Sequence, residues 1–148
     1  MSSKTPIAYI DIRTFAHATE DTDKVQTALN NTLPTELIQT INFQKTNLTG
    51  HHGNLITLLE TRIKDKNTTQ AVFQKLATNL SIIDKEQLNS EIKQHLEKGN
   101  LYLRLDKQNA YLGQIRLGQT DPIHLRIHFK KHAPQEVIEI CQKYGLLP

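Results

Sequence analysis

Three histidines, His17, His51 and His52, are the residues of this 148-residue chain best suited to chemistry. His17 closes an alternating stretch, and His51 and His52 lie in the turn TGHHGN (residues 49–54), so a fold could gather all three at one end of a sheet. Imidazole titrates near neutrality, and two imidazoles with a cation such as Arg13 beside them could cleave a phosphodiester by proton transfer. Zinc ligation is the second chemistry open to them. It needs three or four ligands in good geometry, and adjacent histidines in a tight turn rarely both reach one ion. No CxxC or HExxH accompanies them. The third reading, hydrogen bonds to one another or to bound phosphates, is the one the spacing favours. On this reading the chain has no catalytic residue, no metal and no cofactor.

The elements that would position such groups are clearest in residues 100–131, NLYLRLDKQNAYLGQIRLGQTDPIHLRIHFKK. Side chains alternate across a strand, so Leu101, Leu103 and Leu105 oppose Tyr102, Arg104 and Asp106, and Ile123, Leu125, Ile127 and Phe129 oppose His124, Arg126, His128 and Lys130. Each strand offers an apolar face to a core and a polar one to water or a partner. The chain carries only +3 net charge, yet residues 97–132 hold seven Lys/Arg against three acids, whereas residues 1–96 hold ten of each. A cationic face confined to one region suits a polyanion.

Residues 7–16 alternate in the same way, with Ala8, Ile10 and Ile12 inward and Tyr9, Asp11 and Arg13 on the wet face. Thr19 is the expected N-cap of a helix carrying Val25, Ala28 and Leu29 on its buried stripe, closed by Pro34. A second strand is expected over residues 38–46 with Ile41 and Phe43 inward. A third is expected over 55–64, where apolar residues fall on both faces. Helical spacing of Val72, Phe73, Leu76, Ala77 and Leu80 predicts a helix over 69–80. Asp84 with Gln87 reads as a capping box, with Ile83 and Leu88 as its staple, and Gly99 as the end of that helix. A last helix starts with Pro134 in its first turn and stops at Gly145. A short extra strand fits residues 114–117. The order is β-α-β-β-α-α-β-β-α. It predicts a single α+β domain over residues 1–148, a largely antiparallel sheet with helices on one face.

Composition sets the outer limits. No run of residues approaches a membrane span, and the N-terminus has no apolar signal region. Cys141 is the lone cysteine and lies on an apolar helix stripe, which reads as a buried thiol in a reducing interior. Phosphate-cradling glycine loops are missing, since neither RLGQTD nor TGHHGN has the strand–GxxxxGK–helix context. The connection DKQNAYLG crowds Lys107, Gln108, Asn109 and Tyr111 together, a set able to meet phosphates, ribose hydroxyls or unstacked bases.

RTFAHATED (residues 13–21), TGHHGN and NLYLRLDKQNAYLG (residues 100–113) followed by RLG (116–118) together resemble an archaeal family of small RNA-binding proteins. That family is described as a predicted exosome subunit with a double-stranded-RNA-binding-like or ribosomal-protein-like fold. The resemblance runs from the first strand to Phe129, with the blocks in family order. It implies an RNA partner and an archaeal, cytoplasmic setting, and it supplies no catalytic residue. On matching positions it points to Arg13, His17, His51, His52, Arg104, Lys107, Gln108, Tyr111 and Arg116.

The expectation is therefore a non-catalytic RNA-binding protein, accessory to RNA processing or degradation. Phosphates would be neutralised by Arg104, Lys107, Arg116, Arg126, Lys130 and Lys131, and Tyr9, Tyr102 and Tyr111 would stack or touch ribose. Four Tyr, four Phe and no Trp make a thin stacking platform, which favours structured or double-stranded RNA. Two rivals stand beside this: a protein-docking accessory of the ribosome, the exosome or another RNA-processing complex, and a histidine-dependent ribonuclease.

Overall fold

The computed structural model describes residues 6–148. Six strands form one antiparallel sheet: β1 (Ile7–His17), β2 (Gln44–Thr49), β3 (Leu55–Ile63), β4 (Leu96–Glu97), β5 (Asn100–Leu105) and β6 (Ile123–Phe129). Their spatial order is β2-β3-β1-β6-β5-β4, so the first strand lies at the centre and the predicted basic pair, β5 and β6, lies beside it. The helices are α1 (Thr22–Asn31), α2 (Lys66–Asn79), α3 (Ile82–Ser90), α4 (Ile92–His95), α5 (Lys107–Tyr111) and α6 (Pro134–Tyr144), with a 3-10 turn over Thr35–Thr40. The α+β class and the predicted order of the principal elements hold; β4, α4 and α5 are additions. No helix is long and apolar enough to cross a membrane among the described residues.

The alternation read from β1, β5 and β6 is the alternation in the structure. Ile10, Ile12, Leu101, Leu103, Leu105, Ile123, Leu125, Ile127 and Phe129 are buried in one core. Phe73 of α2 is the core's centrepiece, edge-on to Phe129 at 5.9 Å and to Tyr144 of α6 at 5.7 Å. It is fully buried, so truncating it to alanine would cost about 3–5 kcal/mol. Cys141 is buried in α6, and burial pushes its thiol up to about 12.

Local signals fail in six places. Asp21, not Thr19, caps α1, its carboxylate accepting from Asp23 N at 2.9 Å. A register shift between Ile7 and Tyr9 turns Ile7 into the core in the place expected of Ala8. The second strand begins later than expected, at Gln44, because residues 35–40 coil into the 3-10 turn, and Ile41 and Phe43 pack on the core from outside the strand. Ser81 rather than Asp84 caps α3, accepting from Asp84 N at 3.1 Å; Ile83 is 72% exposed and staples nothing. That helix also stops at Ser90, so Gly99, with φ of +84°, sits in the β4–β5 turn instead of ending a helix. The short strand foreseen at 114–117 is a single bridge, Leu105 to Leu117.

Candidate nucleic-acid interface

Register across the central strands assembles the polar face in rows. Arg13 of β1 pairs with His124 of β6, which pairs with Arg104 of β5. Three basic side chains thus stand abreast, about 5 Å apart at the backbone. Burial first, then the charges of Arg13 and Arg104, hold the His124 imidazole below its usual range, so it stays neutral at neutral pH. The next row is Arg62 of β3, Asp11, Arg126 and Tyr102. Here the positive charge is already matched. Arg62 donates to Asp11 through Nε at 2.7 Å and Nη2 at 3.0 Å, and Arg126 donates through Nη2 at 2.6 Å and Nε at 3.2 Å. Partial burial lifts the Asp11 carboxyl, but the two guanidiniums outweigh it and hold the group below the usual carboxylate range. Tyr9 lies in the third row, with the Arg62 guanidinium 4.1 Å from its ring centre and His128 stacked at 4.8 Å. Both contacts occupy ring surface that a base would need.

α3 and α4 stand along the rim of this face and convert it into a trough of about 1150 Å³. Its floor carries Arg13, Arg62, Arg104, Arg126, Asp11, Glu60 and Tyr102; its walls carry Gln87, Glu91, Gln94 and His95, with Gln119 beside Arg104. The wall is anchored by Asp84, 5% exposed, which accepts from Arg116 Nε and from Leu117 N, each at 3.0 Å. Gly118 keeps that anchor tight: a Cβ there would meet Asp106 Cα at 2.8 Å.

The predicted site residues fall into separate groups. Arg13, Arg104 and Arg126 share the trough, and Tyr102 joins them, 37% exposed. Lys107 leaves the face altogether. Its side chain is 11% exposed at the end of β1, donating to Phe15 O at 2.7 Å, Asp121 Oδ2 at 2.7 Å and Glu20 Oε1 at 3.1 Å. Arg116 is committed to Asp84. Gln108 and Tyr111 belong to α5, a helix where a turn was expected, packed against α1 through Asn31 Nδ2 on the carbonyls of Ala110 and Tyr111. Lys130 and Lys131 follow β6 on the exposed surface, Lys131 within 4.0 Å of Glu136.

The three histidines do not form one group. His51 and His52 lie exposed at the β2–β3 turn with ring centres 6.5 Å apart, while His17 Nε2 is 3.1 Å from Asp121 Oδ1. Atoms of His17, Glu20 and Asp121 lie within 4.8 Å of one another, as metal ligands would, but the Lys107 ammonium supplies the positive charge between the two carboxylates.

Arg62, His124, Gln87 and Gln94 had not been read as site residues. His124 was legible as a wet-face residue. Arg62 was hidden because Ile56 and Leu58 put apolar side chains on the polar face of β3, blurring its alternation. The same strand, with Phe15 and Leu48, gives that face an apolar end.

A family model described as RNA binding matches residues 9–129. The RNA-binding protein PAB1135 of Pyrococcus abyssi is 35% identical over 133 residues, covering 88% of this chain and 86% of its own. Among solved structures, protein AF2318 from Archaeglobus fulgidus superposes with a TM-score of 0.79 at 25% identity, covering 93% of this chain and 99% of that one. Mth689, a DUF54 protein from Methanothermobacter thermautotrophicus, gives 0.77 at 27% identity, covering 94% and 98%.

Proposed function

We propose that this chain, which belongs to the RNA-binding family matched over its residues 9–129, binds RNA without cleaving it, through the polar face of the sheet. The observation that carries the reading is the row Arg13–His124–Arg104 on the trough floor, where two arginines that form no ion pair among the described residues flank an imidazole, with Glu60 opposite Arg13 on β3. Phosphate neutralisation is the main source of affinity in such binding. The rigid floor also matters: groups held on strands keep a fixed spacing against a backbone that repeats.

The charge count on the face is smaller than the sequence implied. Lys107 and Arg116 are bound to carboxylates elsewhere, and Asp11 offsets one of the Arg62 and Arg126 charges. About two to four phosphates would be neutralised, giving a slope of log affinity against log salt of about −1.5 to −3.5. A salt titration by fluorescence anisotropy with a structured RNA tests this. No binding at low salt rejects the proposal. A cytoplasmic role accessory to RNA processing or degradation, in contact with exosome components, is the setting we propose for that binding.

A second reading has its own observation. Phe15, Ile56, Leu58 and Leu48 line the apolar end of the same face, and Leu48 is 40% exposed, which fits docking on a protein partner in the ribosome or an RNA-processing complex. Pull-down with and without nuclease separates the two, because a protein contact survives removal of RNA.

A further inference from the structure

We propose that the trough receives an unpaired stretch of RNA, a single-stranded end or bulge, with a phosphate held between Arg13 and Arg104 and bases turned toward the amides of α3 and α4. This rests on the RNA-binding reading and narrows its substrate from RNA in general to unpaired nucleotides within a structured RNA.

The lining chemistry is what separates unpaired from paired RNA. A duplex presents phosphates and 2′-hydroxyls outward and keeps its Watson–Crick edges inside. A surface built for it would carry cations along its length. This trough instead mixes a short cationic row with neutral amides. Asn42 and Gln44 stand at its β2 end, Gln87 and Gln94 on its helical wall and Gln119 beside Arg104. The side-chain amides of Asn42, Gln44, Gln87 and Gln94 have no protein hydrogen-bond partner among the described residues. An amide offers a donor and an acceptor side by side, the complement of a base edge, and Glu91 on the same wall is an acceptor for an exocyclic amine. Gln87 of α3, Glu91 at the junction and Gln94 of α4 all line the trough, while Leu88 and Ile92 are buried in the core.

The charges are placed to match. Arg13 and Arg104 are two strands apart, about 10 Å at the backbone, and their long side chains can meet one phosphate from both sides over His124. Gln119 Oε1 accepts from Arg104 Nη1 at 3.5 Å, steering that guanidinium toward the trough. Tyr102 then lies between the cationic row and His95, whose Nδ1 is 2.9 Å from Tyr102 O, and its exposed ring can meet a ribose or base beside the phosphate.

The test compares one RNA hairpin in two forms, blunt and with a four-nucleotide single-stranded overhang carrying 4-thiouridine, by anisotropy and photocrosslinking. Wild type should bind the overhang form about tenfold more tightly than the blunt one, the value of one good amide–base pair. The crosslink should map to α3, α4 or Tyr102. The exposed pair Gln87→Ala/Gln94→Ala should keep its fold by circular dichroism, keep the affinity for the blunt hairpin, and lose the overhang advantage. Equal affinity for both hairpins overturns the inference while leaving RNA binding intact. So does an advantage that survives the double substitution, or a crosslink outside the trough. Failure to bind either hairpin overturns the broader reading, and this one with it.

Discussion

Arg126 reaches from β6 to β1 and sets its Nη2 2.6 Å from Asp11 Oδ2, so the centre of the basic face is an ion pair and not a free cation. Arg62 completes the clamp from the other side. Asp11 therefore fixes two guanidiniums and subtracts one charge, whereas Arg13 and Arg104 form no ion pair among the described residues.

Asp11→Asn should loosen both arginines and lower stability by about 1–2 kcal/mol, the scale of charged hydrogen bonds reduced by partial exposure and salt. The sign with pH follows from the lowered carboxyl. Its contribution is complete above the unfolded carboxylate range near pH 4 and disappears as pH falls through the lower folded value. Urea titrations between about pH 3 and pH 7 should show the gap between wild type and Asp11→Asn shrinking toward the acid end. A constant gap would contradict the clamp.

His124 should report RNA directly. Its imidazole is held neutral by burial and by Arg13 and Arg104, against the weaker pull of Asp121, and Glu60 lies next to Arg13 in the same row. A phosphate between the arginines favours the protonated ring, so binding takes up a proton and affinity rises as pH falls from about 7.5 to 5.5. An NMR titration of the His124 ring should move to higher pKa on adding RNA, and His124→Ala should flatten the pH dependence. In the free protein the sign is opposite for stability: the depressed value costs stability as pH drops below the ordinary histidine range near 6.5.

Lys107→Ala should act on the fold. It leaves Glu20, Asp121 and the Phe15 carbonyl without their shared donor, at a cost of about 2–3 kcal/mol. Chemical denaturation will register this, and RNA affinity measured on the folded fraction should hold within about twofold. Arg13→Ala/Arg104→Ala should do the reverse, with denaturation midpoint unchanged and RNA affinity reduced about tenfold or more.

Asp84→Ala should free Arg116 and Leu117 N together and unmoor α3 from the connection before β6. A buried acceptor that holds two donors costs about 2–3 kcal/mol to remove. Hydrogen exchange should then rise at Leu117 and across α3 before the central strands. Uniform loosening of the sheet would mean that the anchor is not local.

Much of the fold was legible because it is written in short-range physics. Period-two alternation in β1, β5 and β6 fixed which side chains face water, and helical stripes at Val72–Ala77 and Val137–Cys141 fixed what the helices bury. Gly145, with φ of +86°, stops α6 where only a residue without a Cβ is at ease. Capping was less legible at α1 and α3, where several Ser, Thr and Asp residues within a few positions compete for one role and packing chooses among them.

By itself the sequence determined that one face of the sheet is polar and rich in cations, since alternation is set by backbone geometry alone. It could not determine which of those cations are free. That depends on register between residues far apart in the chain: Arg126 meets Asp11 across 115 positions, Lys107 meets Glu20 across 87, and Arg116 meets Asp84 across 32. An ion pair forms only when two charges come within a few ångströms, and strand order, not composition, decides that distance. Within the trough, tertiary structure therefore left Arg13 and Arg104 flanking His124 as the cations outside the Asp11 clamp, and it raised the wall of amides that turns a charged surface into a trough.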